Sequence, residues 1–141
     1  MISKLPNITT SIFTVMSEMA SDYNALNLSQ GFPNFKSDSY LIELVNKAMA
    51  EGYNQYAPMS GYLELRETIC DKTKLLHSKK YNSDTEITIT AGATQAIFTA
   101  IATVINKDDE AIIFTPAYDC YSPAIELFGG ITIPVQLKAP F

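Results

Sequence analysis

Thr90-Ala91-Gly92-Ala93-Thr94-Gln95-Ala96 is the stretch that decides how this chain reads. It stands between the β-branched run Ile87-Thr88-Ile89 and the apolar run Ile97 to Ile105. That order predicts a strand, a turn of small residues and a helix start. The first N–H groups of a helix have no acceptor within it, and the helix dipole favours negative charge there. Gly92 and Ala93 permit close approach to the backbone, and Thr94 adds a hydroxyl donor. Two readings of the turn stand side by side: a phosphate site, or small residues serving close packing. No G-x-G-x-x-G and no G-x-x-x-x-G-K-[ST] is present, so the dinucleotide fingerprint and the P-loop are both excluded.

Working outward, the pattern after residue 84 is β–α–β. Glu86 to Thr90 is expected as a strand. Ala93 to Ile105 is expected as a helix, apolar nearly all round and therefore buried. Ala111 to Phe114 is a continuous apolar strand of the kind covered on both faces. Pro116 ends it, Tyr121 to Phe128 is a short helix, and Ile131 to Leu137 is a last strand. Pro134 puts that strand at an edge or a bulge. Before residue 84 the elements are helical. Ser39 is expected to cap a helix from Tyr40 to about Glu51, closed by Gly52. A second helix spans about Tyr62 to Leu76, with Tyr62, Leu65, Ile69 and Leu76 buried at helical spacing. The stretch up to residue 38 is expected to be irregular, with a loop over Leu28 to Lys36, and Asn54 to Gly61 is a second loop. Alternating strands and helices predict an α/β fold with a mainly parallel sheet and helices on its faces. Three strands are few for such a sheet, so the organisation looks like the front part of a larger fold.

Composition narrows the function classes. The 141 residues are 47% hydrophobic and 18% charged, as in a folded globular chain. A net charge of -5, with no basic cluster larger than Lys79-Lys80, argues against nucleic acid and anionic membranes as partners. Cys70 and Cys120 are far apart and in no metal spacing, which fits a reduced, cytoplasmic setting. No metal set is expected. The longest apolar run is about half of the ~20 residues a membrane span needs.

Loops that follow parallel strands share one sheet edge, where ligands sit. Tyr118, in Pro116-Ala117-Tyr118-Asp119-Cys120-Tyr121, is therefore placed either to stack on a flat ligand or to serve as a rim residue. The segments Asn27 to Pro33 and Asn54-Gln55-Tyr56 are polar–aromatic loops outside any periodic pattern. His77, the only histidine, reads as a solvated helix-end residue.

Taken together, Leu28-Ser29-Gln30-Gly31-Phe32-Pro33-Asn34-Phe35, Asn54-Gln55-Tyr56-Ala57-Pro58-Met59-Ser60-Gly61, Leu65-Arg66, Ile87 to Thr94, Asp109-Glu110-Ala111-Ile112 and Pro116 to Tyr121 resemble class I pyridoxal-phosphate aminotransferases of fold type I. The branch they resemble holds kynurenine/glutamine transaminases and methionine aminotransferase, and Thr9 to Thr14 looks most like the methionine-preferring enzymes. The resemblance implies amino-group transfer between an amino acid and a 2-oxo acid, pyridoxal 5'-phosphate as cofactor, bound weakly or not at all by this chain alone, and a homodimer. It implies a cofactor-phosphate cup at Gly92, Ala93 and Thr94, and ring stacking by Tyr118. It also implies that Tyr56 reaches the cofactor phosphate of a partner subunit, that the Gly31 backbone meets the substrate carboxylate, and that Phe13 forms a wall for the substrate side chain. The implied domain organisation is residues 1–38 as N-terminal arm and small-domain segment, and residues 39–141 as the first part of the cofactor-binding large domain.

Three family groups have no counterpart here. The lysine that holds the cofactor lies in a Ser-rich motif far downstream, and none of the nine lysines has that context. The aspartate for the pyridine nitrogen and the arginine for the substrate carboxylate are also expected beyond Phe141. The only arginine, Arg66, falls on a predicted helix. The expectation is a truncated aminotransferase, inactive as an isolated chain. The rivals are a non-catalytic binding or regulatory module that keeps the phosphate cup and dimer surface, and a remnant of a longer enzyme.

Overall fold

The structure is a computed structural model that describes residues 3–31 and 33–140. Its elements, in order, are α1 (Ile12–Asp22), α2 (Ser39–Ala50), α3 (Leu63–His77), α4 (Ala93–Val104), β1 (Glu110–Thr115), α5 (Tyr121–Leu127) and β2 (Ile131–Gln136). They fall into two compact units. One holds the described residues of 1–31 and 91–141, the other those of 32–90.

In the first unit β1 and β2 form a two-stranded parallel sheet, with Glu110 opposite Ile131 and Thr115 opposite Gln136. Pro134 pairs with Ile113 and has no N–H to give a further neighbour, as its edge placement requires. Helix α5 is the crossover and packs on both strands, and α4 packs on α5. The core is small. Ala124 and Ile125 of α5 are the buried hydrophobic residues among those described. The rings of Phe98 and Phe128 meet at 5.3 Å beside them. Gly130 lets the chain turn tightly there, because a Cβ would sit 2.7 Å from Ile105 Cγ2 and 2.9 Å from Ile125 Cγ2.

Helix α1 lies inside the stretch expected to be irregular. Its signals are local: the Ser11 hydroxyl accepts from Phe13 N–H at 3.2 Å, and Ile12, Val15, Met16 and Met19 follow helical spacing. It ends in a Schellman motif, with Asn24 at φ 49° and Ala25 N–H donating to Ala20 O at 2.8 Å.

In the second unit α2 is capped by Asp38 rather than Ser39. The Asp38 Oδ1 accepts from Tyr40 N–H at 2.8 Å and from Leu41 N–H at 3.4 Å. A carboxylate adds charge–dipole attraction that a serine hydroxyl lacks. Gly52 closes the helix as expected: at φ 94° it lets Tyr53 N–H reach Ala48 O at 3.0 Å. Tyr62 stands at the N-cap position of α3 without a side-chain capping bond, and the buried residue of α3 is Arg66.

Four further expectations are corrected. Tyr62, Leu65 and Leu76 are exposed, and so is most of α4, although its sequence is apolar. Residues 86–90, expected as a strand, form no ladder, so among the described residues the sheet has two strands and not three. Strand β1 alternates between exposed and half-buried residues, with Ile112 and Phe114 outward, because among the described residues only α5 covers it. The common cause is packing: an apolar pattern records which surface can be buried, while burial needs a second layer.

Candidate cofactor and substrate site

The expected phosphate cup lies at the turn before α4. Gly92 is the N-cap at φ 90° and ψ 164°, a backbone conformation that L side chains rarely adopt, and a Cβ there would meet nothing within 4 Å. No side chain caps the helix. Gln95 instead reaches back, its Oε1 accepting from Ala91 N–H at 2.5 Å. The N–H groups of Ala93, Thr94 and Gln95 are the first of the helix and have no acceptor within it. They lie at the positive end of the helix dipole, where negative charge is favoured. The sequence reading missed Gln95. Its signal was a glutamine three positions into the helix, where a capping box places one.

Tyr118 lies in the same unit, after β1. It is 48% exposed, so a large part of its ring remains open to contact. Its centroid is 6.1 Å from that of Tyr121 and 6.2 Å from that of Phe13. The structure thus joins two residues that are 105 positions apart in the chain. Both line a groove of about 540 Å³, which also takes in Ser11, Thr14, Glu18 and Asp119. Gln30 lines this groove too, beside Gly31, which is exposed with open space around its Cα. Phe32 of the same motif lies outside the described residues.

Cys120 sits next to this groove. Partial burial raises its thiol pKa, the Asp119 carboxylate adds to the rise, and a backbone hydrogen bond offsets part of it. The rise favours the thiol over the more nucleophilic thiolate. Among the described residues no His/Cys/Asp/Glu group could hold a metal ion, and no helix is long and apolar enough to cross a membrane.

Tyr56 belongs to the second unit. It projects fully into solvent at 103% relative exposure, from a loop bordering a groove of about 710 Å³ lined by Tyr53, Tyr62 and Pro58 among others. Arg66, in the same unit, is 6% exposed and carries no surface charge available to a substrate.

The chain matches the family model described as Aminotransferase class I and II over residues 23–140. Methionine aminotransferase of Escherichia coli (strain K12) is 49% identical over 138 residues, 98% of this chain and 36% of that protein. A probable N-succinyldiaminopimelate aminotransferase of Mycobacterium tuberculosis is 33% identical over 136 residues, 96% of this chain and 34% of that protein. The solved structure of an Escherichia coli protein with methionine aminotransferase function superimposes with a TM-score of 0.92 at 48% identity, covering 99% of this chain and 36% of that one. The solved N-succinyldiaminopimelate aminotransferase of Mycobacterium tuberculosis does so with a TM-score of 0.91 at 32% identity, covering 100% and 37%. The chain spans about a third of the length of these relatives and has the architecture of the N-terminal part of fold type I aminotransferases, a partial α/β fold with a small parallel sheet. It belongs to the class I and II aminotransferase family.

Proposed function

We propose that these 141 residues supply the cofactor-phosphate cup, the ring-stacking surface and part of the substrate pocket of an aminotransferase. The reaction would move an amino group between an amino acid of methionine, aromatic or glutamine type and a 2-oxo acid. The observation that carries this reading is the uncapped N-terminus of α4, opened by Gly92 at φ 90°, in the same unit as the exposed Tyr118 ring. Members of this family generally use pyridoxal 5'-phosphate, and the donor set here fits its phosphate. When bound, that cofactor supplies an electron sink for the substrate α-carbon. Ala93 and Thr94 would bind its phosphate, Tyr118 would stack on its ring, Gly31 would offer backbone to the substrate carboxylate, and Phe13 would wall the substrate side chain. Tyr56, fully exposed, would reach the phosphate held by a second subunit, making the working unit a homodimer. Residues 1–38 would then be arm and small-domain segment, and residues 39–141 the opening of the large domain. Two free cysteines accord with a cytoplasmic setting.

The proton-moving lysine is not among these residues. The chain by itself should therefore bind the cofactor reversibly and leave methionine, glutamine and aromatic amino acids unconverted. Thr94→Ala should weaken pyridoxal-phosphate binding by about 1.5–3 kcal/mol, the scale of one hydrogen bond to a charged group. Unchanged affinity in that variant, or turnover of about 1 per second by the 141 residues alone, would overturn the proposal.

A further inference from the structure

The second unit holds a charged side chain that the proposed site does not use. Arg66 is the buried charged or polar residue of the described chain. A guanidinium leaves water only where its donors find partners, and here Nε and Nη1 have them. Nε donates to Gly61 O at 3.2 Å, and Nη1 donates to Ser83 O and lies 3.6 Å from the Asp84 carboxylate. The first of these carbonyls ends the loop that carries Tyr56. The second belongs to a turn closed on itself, where Asp84 N–H donates to Asn82 Oδ1 at 2.8 Å and Glu86 N–H to Asn82 O at 2.9 Å.

The same end of the loop is held from its other side. Ile89 N–H donates to Ser60 O at 3.0 Å. Gly61 stands at φ 96°, and any Cβ on it would overlap the Ile89 side chain. The opposite end is pinned as well. Tyr53 N–H closes α2, Asn54 Nδ2 donates to Met49 O at 3.2 Å, and the Tyr53 and Tyr62 rings meet edge to face at 6.0 Å. Between the two fixed stems the chain presents Tyr56 and Met59 almost entirely to solvent. A side chain offered from a fixed loop loses less conformational freedom when it is bound.

We infer that Arg66 is a positioning residue: its planar fork fixes the loop from Asn54 to Gly61 and so sets where Tyr56 is presented to the second subunit's phosphate. This rests on the role proposed above for Tyr56. The fork geometry is the essential element, since a lysine keeps the charge and cannot span two carbonyls in fixed directions.

The test compares the full chain with Arg66→Lys, Asp84→Asn, Tyr56→Phe and the Arg66→Lys/Tyr56→Phe pair. Two quantities are read: amide exchange at Gly61 and Ile89, whose N–H groups bond Pro58 O and Ser60 O, and affinity for pyridoxal 5'-phosphate. Arg66→Lys should speed exchange at both amides about tenfold with α2 unaffected, the consequence of one lost hydrogen bond. It should weaken the affinity as much as Tyr56→Phe does, and the pair should be no weaker than Tyr56→Phe alone. Asp84→Asn, which leaves both carbonyl bonds in place, should match the unaltered chain. Unchanged exchange in Arg66→Lys, or additive losses in the pair, would overturn the inference. Should Arg66→Lys also expose α2, native-state exchange of the unaltered chain decides. Joint opening of Gly61 and Ile89 ahead of α2 upholds the anchor, and separate opening overturns it. A Tyr56→Phe chain that binds as well as the original refutes the reading of Tyr56 instead, and the exchange rates alone then decide whether Arg66 holds the loop.

Discussion

Replacing Gly130 by alanine tests the packing that builds the first unit. The added methyl would stand 2.7 Å from Ile105 Cγ2, 2.9 Å from Ile125 Cγ2 and 3.2 Å from Ile125 O. Contacts between carbons relax at about 3.5–4.0 Å, so two isoleucines would have to retreat by most of an ångström. Neither has an easy path. Ile125 is 3% exposed at the centre of α5, and the oxygen belongs to the backbone that accepts Gly130 N–H at 3.0 Å. Overpacking of this kind costs about 1–3 kcal/mol. At roughly 2–4 °C of Tm per kcal/mol, the variant should melt several degrees lower. Gly31→Ala is the control. Gly31 has open space around it and no left-handed φ, so its stability should change by less than about 0.5 kcal/mol. Urea unfolding followed by circular dichroism measures both. Equal midpoints for Gly130→Ala and the unaltered chain would refute the packing described for α4, α5 and β2.

Two more outcomes are expected. Cys120, its thiol pKa raised by burial and by Asp119, is less deprotonated in the folded chain than in urea at any pH below that pKa, so iodoacetamide should label it more slowly when folded at pH 8; equal rates would remove the assigned shift. The outward residues Ile112, Phe114 and Val104, with both strands of the sheet at an edge, leave more apolar surface open than soluble monomers usually carry, so sedimentation at micromolar concentration should show a dimer or larger species, and a sharply melting monomer would contradict this.

The parts of the fold legible in the sequence are those set by local chemistry. Gly52 and Gly129 stand where left-handed backbone closes a helix, Gly92 opens α4, and the order β1–α5–β2 follows from Pro116 and Gly129-Gly130. Helix α1 was equally local, with Ser11, the Ile12–Val15–Met16–Met19 spacing and Asn24 all in place, and was obscured by the loop signals of Gly31 and Pro33 that follow it. Burial was not legible. The spacing of Leu65 and Leu76 marks an apolar face, but whether anything covers that face is a property of elements remote in sequence. Arg66 was opaque for the same reason, since its partners Ser83 and Asp84 are 17 and 18 positions away. The Phe13–Tyr118 ring contact joins opposite ends of the chain, and no periodicity announces it.

The most direct measurement of the central claim is an amide and aromatic NMR titration of the chain, first with inorganic phosphate and then with pyridoxal 5'-phosphate. The account predicts that both ligands move the Ala93, Thr94 and Gln95 amides most, and that only pyridoxal 5'-phosphate also shifts the Tyr118 ring protons. Shifts centred on Lys79 and Lys80, or a Tyr118 ring indifferent to the cofactor while its phosphate binds, would contradict it.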